Sequence, residues 1–338
     1  MKQICGHIKI KLIGLFFLAG LVSCSPTRII DFEILDPAKI DLPDSQGSFL
    51  VLNSSYLPEN ISDKSNLMSG LTADEQIIVD TAINRQLFDG LFSVLNDSPI
   101  KGLRNANYLE LRTSDTTGFL NPLSPVAISE ICKENNVDFI ISFEYYSMFE
   151  NSGYFVNEYN QYEVVLELIR KLLWRIYSRD GQLKDSYFSR DSLYWNSIGG
   201  NMDIVKSNLS NKLELYREAF WLSGVDYGKR ISPSWEPVNR SIYEIKQKSD
   251  TGRIIVSVNK DILESFSSSK NKSKAFNACY NLAVISESEG DIENALKWID
   301  QALEIKKTIL ASGYRKKLEL RKNNLEIVDR QTGINNIK

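Results

Sequence analysis

The sequence predicts an α+β domain, an α/β sandwich of helices on a sheet, followed by an all-α array of short helices. Three observations carry this. In the first two-thirds, runs of alternating apolar and polar residues stand between segments of helical period. Near the end, "AFNACYNLAVISESEGDIENALKWIDQALEI" (275–305) reads as two helices around a Gly290-Asp291 turn. Between the two parts lies the proline-containing stretch "YGKRISPSWEPV" (Tyr227–Val238). The expected organisation is a leader at 1–23, a tether at 24–46, the mixed domain at 47–231 and the helical array at 232–330.

The leader has a basic start (Lys2, Lys9, Lys11) and an uncharged apolar run, Leu12 to Val22. A bilayer-spanning helix needs about 20 apolar residues, so this shorter run reads as the core of a removable signal. Leu21-Val22-Ser23 leads into Cys24. That ending resembles a bacterial lipobox, which implies cleavage before Cys24 and a diacylglycerol on its thiol. Ser25 is not aspartate, and Pro26-Thr27-Arg28-Ile29-Ile30 carries no acidic run. The resemblance therefore implies the outer membrane, facing the periplasm, with attachment through acyl chains and no transmembrane helix. Pro26, Pro37 and Pro43 among polar residues read as the tether.

The mixed domain opens with a short strand at Gly47–Asn53, then a polar loop at 54–71. Thr72 and Glu75 form a capping box. The helix it opens carries Val79, Ile83, Leu87 and Leu91 on one stripe and should stop before Pro99. Tyr108–Arg112 reads as a second strand. Ser124-Pro125 starts a helix to about Asn136. In the next strand Val137, Phe139, Ile141, Phe143 and Tyr145 share a face. A further strand, Gln161–Tyr177, aligns Val164, Leu166, Leu168, Leu172, Trp174 and Ile176. Asp180-Gly181 turns it into a return strand, Leu183–Trp195. A helix with Leu209, Leu213, Tyr216, Phe220 and Tyr227 ends near Gly228.

In the array, Ala283, Ala295 and Ala302 are small enough to let helices 275–289 and 292–307 cross closely. Arg253–Phe266 reads as a preceding helix and Tyr314–Val328 as a following one. The 275–305 stretch resembles a tetratricopeptide repeat, with Cys279 where that motif often has tryptophan. The 47–230 region, through "SFLVLNSS" and "ISEICKENNVDFIISFEYY", resembles the anticodon-binding-like domain of envelope lipoproteins. As a whole the chain resembles a family of Bacteroidetes-type lipoproteins with this layout. The resemblance implies an address and an architecture, and no reaction.

Composition excludes several functions. Losing the leader's three lysines takes the net charge from −3 to −6, the wrong sign for a general nucleic-acid binder. The single histidine, His7, lies in the leader, so the remaining chain has no imidazole for a Ser-His-Asp triad or a zinc site. Cys132 and Cys279 are too few for a four-thiolate site, and read as buried free thiols in separate cores rather than a disulfide. No phosphate-binding glycine loop appears. No cofactor and no metal are expected, and no enzymatic activity.

Two stretches could bind. Eight aromatics fall between Phe143 and Tyr162. Exposed, they would suit sugar rings or peptides; otherwise half are sheet core and the rest flank a loop. Tyr154 and Tyr159 are the candidates there. On helix 275–289, Asn277, Asn281 and Ser288 should look outward. The Asn277 and Asn281 amides are candidates to hold an extended peptide. Asp138, Glu144, Glu163 and Glu167 could in principle do acid–base work, but read first as ordinary strand carboxylates. Basic residues from Lys306 to Lys322 read as a solvated helix face. The expected function is a lipid-anchored, non-catalytic interaction module for an envelope protein partner. The alternative is a glycan-binding or glycan-processing lipoprotein.

Overall fold

The computed structural model describes residues 27–42, 46–55, 72–112, 121–209, 211–249 and 252–333. Cys24, the leader and most of the 54–71 loop lie outside them. The chain divides into two compact units: residues 37–234 with 328–333, and residues 27–36 with 235–327. The mixed sheet-and-helix region followed by helices is as expected. The tether is not. Residues Thr27–Asp36 form strand β1, which pairs with β7 (Ser234–Tyr243), at the start of the supposed helical part. The alternation Ile30, Phe32, Ile34 explains this, because Ile30 and Phe32 pack on the core of that unit.

The larger unit is built on a five-stranded sheet of order β3-β2-β4-β5-β6. Its strands are β2 (Phe49–Asn53), β3 (Asn107–Glu110), β4 (Phe139–Val156), β5 (Tyr162–Ser178) and β6 (Leu183–Gly199). β2 runs parallel to β3 and β4, whereas β4, β5 and β6 are antiparallel. Helix α1 (Ala73–Leu95) has the expected capping box, Thr72 accepting from the Glu75 amide. A single turn, α2 (Lys101–Arg104), precedes β3. Helix α3 (Pro125–Asn135) is capped by Ser124 and ends on Asn136 in the left-handed region at φ 51°. A short α4 (Met202–Asn208) and α5 (Lys212–Ile231) follow β6.

The strand β2 shows why helices cover both faces of the sheet here. Phe49 and Val51 point into a core with Leu87 and Leu91 of α1 and Phe220 and Tyr227 of α5. Leu50 and Leu52 point the other way, to Ile128 and Cys132 of α3. Helices α1 and α5 cross backbone to backbone: a Cβ on Gly224 would stand 1.9 Å from the Leu87 carbonyl oxygen. The face expected of β4 holds only as far as Phe143. A bulge between Phe143 and Tyr145 shifts the register, so Tyr146 rather than Tyr145 is buried.

In the smaller unit, β8 (Lys246–Ser249) and β9 (Gly252–Ile255) make a hairpin. The expected helix from Arg253 begins only at Lys260, where Asn259 accepts from the Ile262 amide to cap α6 (Lys260–Ser267). Then come α7 (Lys272–Ser288), α8 (Ile292–Ile305) and α9 (Ile309–Thr332). Gly290, at φ 82°, makes the turn between α7 and α8. Ala283, Ala295 and Ala302 are fully buried in one core with Cys279. Both thiols are free and buried, in separate clusters, and burial pushes the Cys279 thiol up to about 11. Among the described residues, no helix is long and apolar enough to cross a membrane.

Candidate functional site

β4, β5 and β6 share a long outer face at the end of the sheet beyond α3. The register aligns Phe155, Glu163 and Ile198 in one row, Asn151, Glu167 and Tyr194 in another, and Phe149, Ile169 and Ser192 in a third. Phe149, Phe155, Phe188, Tyr194 and Ile198 are all exposed. At the centre, Glu167 accepts from the Asn151 amide at 3.0 Å and from the Tyr194 hydroxyl at 2.6 Å. These bonds, Asn151 first, hold its carboxyl below the usual carboxylate range. Lys171 lies 5.4 Å from the centre of the Phe149 ring. The surface is flat apolar area with a fixed polar ladder through it.

The hairpin tip is set by Asn157, whose side chain accepts from the amides of Tyr159 and Gln161, each at 3.0 Å. Tyr159 stands at that tip, 76 % exposed, and Tyr154 is 66 % exposed. Tyr154 belongs to the opposite face of β4, where Lys206 lies 5.4 Å from its ring centre. Of the eight aromatics, Phe143 and Tyr146 are core, Tyr145 is half-buried and five are exposed. The segment therefore offers more aromatic surface than ordinary strand packing requires.

The helix α7 departs from expectation. Asn281 is fully buried. Its amide does grip an extended backbone, but that of its own chain: Oδ1 accepts from the Tyr243 amide at 2.8 Å, and Nδ2 donates to the carbonyls of Tyr243 and Ser257 at 2.8 and 3.0 Å. Asn277 is half-buried and Ser288 exposed. α6, α8 and β1 pack on α7, and the Asn281 amide has no group left to offer a second chain. Next to it, Arg240 makes a two-pronged pair with buried Glu287 at 2.8 and 2.7 Å, and the Tyr314 hydroxyl donates to the same carboxylate at 2.7 Å. Burial first, then this charge, pushes the Tyr314 hydroxyl far up.

The strand carboxylates are likewise engaged. Asp138 accepts from the Ser48 amide and hydroxyl at 3.0 and 2.7 Å, which lowers its pKa. Glu144 pairs with Arg175 and accepts from the Tyr177 hydroxyl at 2.6 Å; burial nonetheless raises its pKa. Sequence reasoning passed over one buried group, Asp80 on α1. It takes Arg112 Nη1 at 2.5 Å and the Tyr146 hydroxyl, behind a cavity of about 390 Å³ lined by Asn84, Phe88, Tyr108 and Arg112. Asp80 sits at helical spacing from Ile83 and Leu87, so the sequence did place it on the inner stripe. Among the described residues no three His, Cys, Asp or Glu side chains converge where a metal ion could sit.

A two-unit chain of this kind, a mixed sheet with helices and then a helical unit, has a match among known families. Residues 48–243 match a domain of unknown function (DUF8603), and the chain belongs to that family. Residues 261–325 match a second domain of unknown function (DUF6340). No curated protein matches the sequence. Among solved structures, a neuraminyllactose-binding hemagglutinin homolog from Helicobacter pylori is similar at 8 % identity and a TM-score of 0.29. The match covers 55 % of this chain and 91 % of that one. A likeness that loose sets neither the fold nor the function of this chain.

Proposed function

We propose that the chain is a lipid-anchored protein of the outer membrane, facing the periplasm. It acts there as a non-catalytic module that binds an envelope protein partner. In this reading Cys24 carries the lipid, 37–234 is an α/β sandwich of the anticodon-binding-like kind, and α7–α8 is a tetratricopeptide-like repeat. The observation that supports binding is the outer face of β4–β6, where exposed aromatic and aliphatic residues gather as they do at protein interfaces. The binding surface thus moves from the Asn277–Asn281 edge to the sheet.

The test is photo-crosslinking in cells, with a photoreactive residue at Phe155 or Ile198 of the full chain. A discrete cross-linked protein from those positions, absent when the probe replaces Leu320 on α9, supports the reading. Equal products from all three positions sink it.

One observation favours the glycan alternative. The Asn151–Glu167–Tyr194 ladder places an amide and a carboxylate between aromatic rings, a mixture that suits hydroxyl-rich sugar rings. Binding of a single polysaccharide by the full chain, lost on Tyr194→Ala or Phe155→Ala, would replace the protein-partner reading.

A further inference from the structure

Between Cys24 and Thr27, the first residue of β1, stand only Ser25 and Pro26. Three residue steps of extended chain span about 10 Å at most. An acylated cysteine sits at the level of the lipid headgroups, a layer about 5–8 Å deep on each side of a bilayer. A lipid on Cys24 would therefore hold the start of β1 within or directly against the headgroup layer, at most a few ångströms beyond it.

The surface at that end of the smaller unit has the composition of an interfacial contact. Ile29 is 67 % exposed, Val258 61 % and Ile255 44 %. Arg28 and Lys246 both reach Glu244, at 3.9 and 2.6 Å, and Lys246 stands directly opposite Ile255 in the β8–β9 hairpin. Ile29 is the next residue of β1, on the opposite side of the strand from Arg28 but at the same end of it, and Val258 comes three residues after the hairpin. Aliphatic side chains of this kind enter the boundary between headgroups and acyl chains, while Lys and Arg stems lie flat and carry their charge to lipid phosphates.

We infer that Arg28, Ile29, Lys246, Ile255 and Val258 form a membrane-contacting surface, seated in the headgroup layer of the bilayer that holds the lipid of Cys24. The inference rests on the reading of Cys24 as acylated. It gives the anchor a second role: the lipid fixes the orientation of the smaller unit as well as its address.

The test uses the full lipidated chain with Ile255→Cys, Val258→Cys or Leu320→Cys, each labelled with an environment-sensitive fluorophore. The native thiols, Cys132 and Cys279, are buried. Leu320 is an exposed control beside Arg321, whose guanidinium donates to the Leu35 carbonyl. That contact lies about 26 Å along β1 from Thr27. Vesicles of phosphatidylethanolamine and phosphatidylglycerol carry a nitroxide on the headgroup. Several-fold stronger quenching at 255 and 258 than at 320 is expected. Equal quenching at all three, on protein that pellets with the vesicles and whose N-terminal peptide has the mass of a diacylglyceryl cysteine, overturns the surface alone. An unmodified N-terminal peptide, with the protein left in the supernatant, overturns the acylation reading and with it this surface.

Discussion

Helix α7 and the outer face of β4–β6 both carry polar side chains between apolar ones, and both invite a reading as binding surfaces. They are opposite cases. On α7 the two buried groups at the centre are taken up within the chain: Asn281 holds Tyr243 and Ser257, and Glu287 holds Arg240 and Tyr314. On the sheet the polar groups bond only to each other across neighbouring strands, and the rings around them face solvent. An asparagine on a helix serves equally to grip a foreign peptide or a returning segment of its own chain. What separates the two is whether another segment is long enough, and connected so as, to lie there.

The comparison can be broken by substitution. Arg240→Ala would leave the Glu287 charge buried without its partner, and a loss of about 3–5 kcal/mol is expected, read by denaturant unfolding of the full chain. A variant as stable as the parent would mean that α7 is not closed by this cluster. Asn281→Ala leaves backbone groups of Tyr243 and Ser257 unpaired inside the core, for about 3 kcal/mol, with early hydrogen exchange at the Tyr243 amide. If exchange there is unchanged, the internal grip described for Asn281 is wrong.

A smaller effect is expected at Asp138, whose carboxyl is held below its ordinary value of 3.8 by Ser48. Its contribution is whole above about pH 4 and disappears as pH falls through the lowered folded-state value. Asp138→Asn should flatten the acid limb of a stability–pH curve and leave its slope near neutrality alone. A parent and variant with the same acid limb would remove that role. Smallest of all, Tyr154→Ala with Tyr159→Ala should shift stability by no more than about 0.5 kcal/mol, because both rings are in solvent. A large loss would place these rings in packing rather than at a surface.

Much of the larger unit was legible in the sequence because its signals are local. The Thr72–Glu75 box, Ser124-Pro125 and Asp180-Gly181 each fix a boundary within a few residues of chain, and each boundary is where the local chemistry puts it. The aromatic segment was legible as a candidate, and the bulge that decides which tyrosine is buried was not, since a bulge depends on the partner strand. β1 was missed for another reason. Ile30, Phe32 and Ile34 alternate as a strand should, but prolines on either side and the nearby Cys24 suggested a tether, and the partner strand is some 200 residues away. The burial of Asn281 was missed through the same omission: without β7 and the segment after it, α7 has an open edge.

β1 and nearly all of β7 belong to one unit, while residues 37–233 are inserted between the two strands. Joining two strands across a loop of that length in an unfolded chain costs about 5 kcal/mol in entropy, by the (3/2)RT ln n scaling. Once folded, the insertion removes most of that penalty. Within it the amides of Lys39 and Ile40 both donate to the carbonyl of Arg230, at 2.9 and 3.2 Å, so its two ends are already side by side. The closed middle of the chain is thereby what brings β1 to its partner: β1 is the first strand to be made, and β7 follows only some 200 residues later.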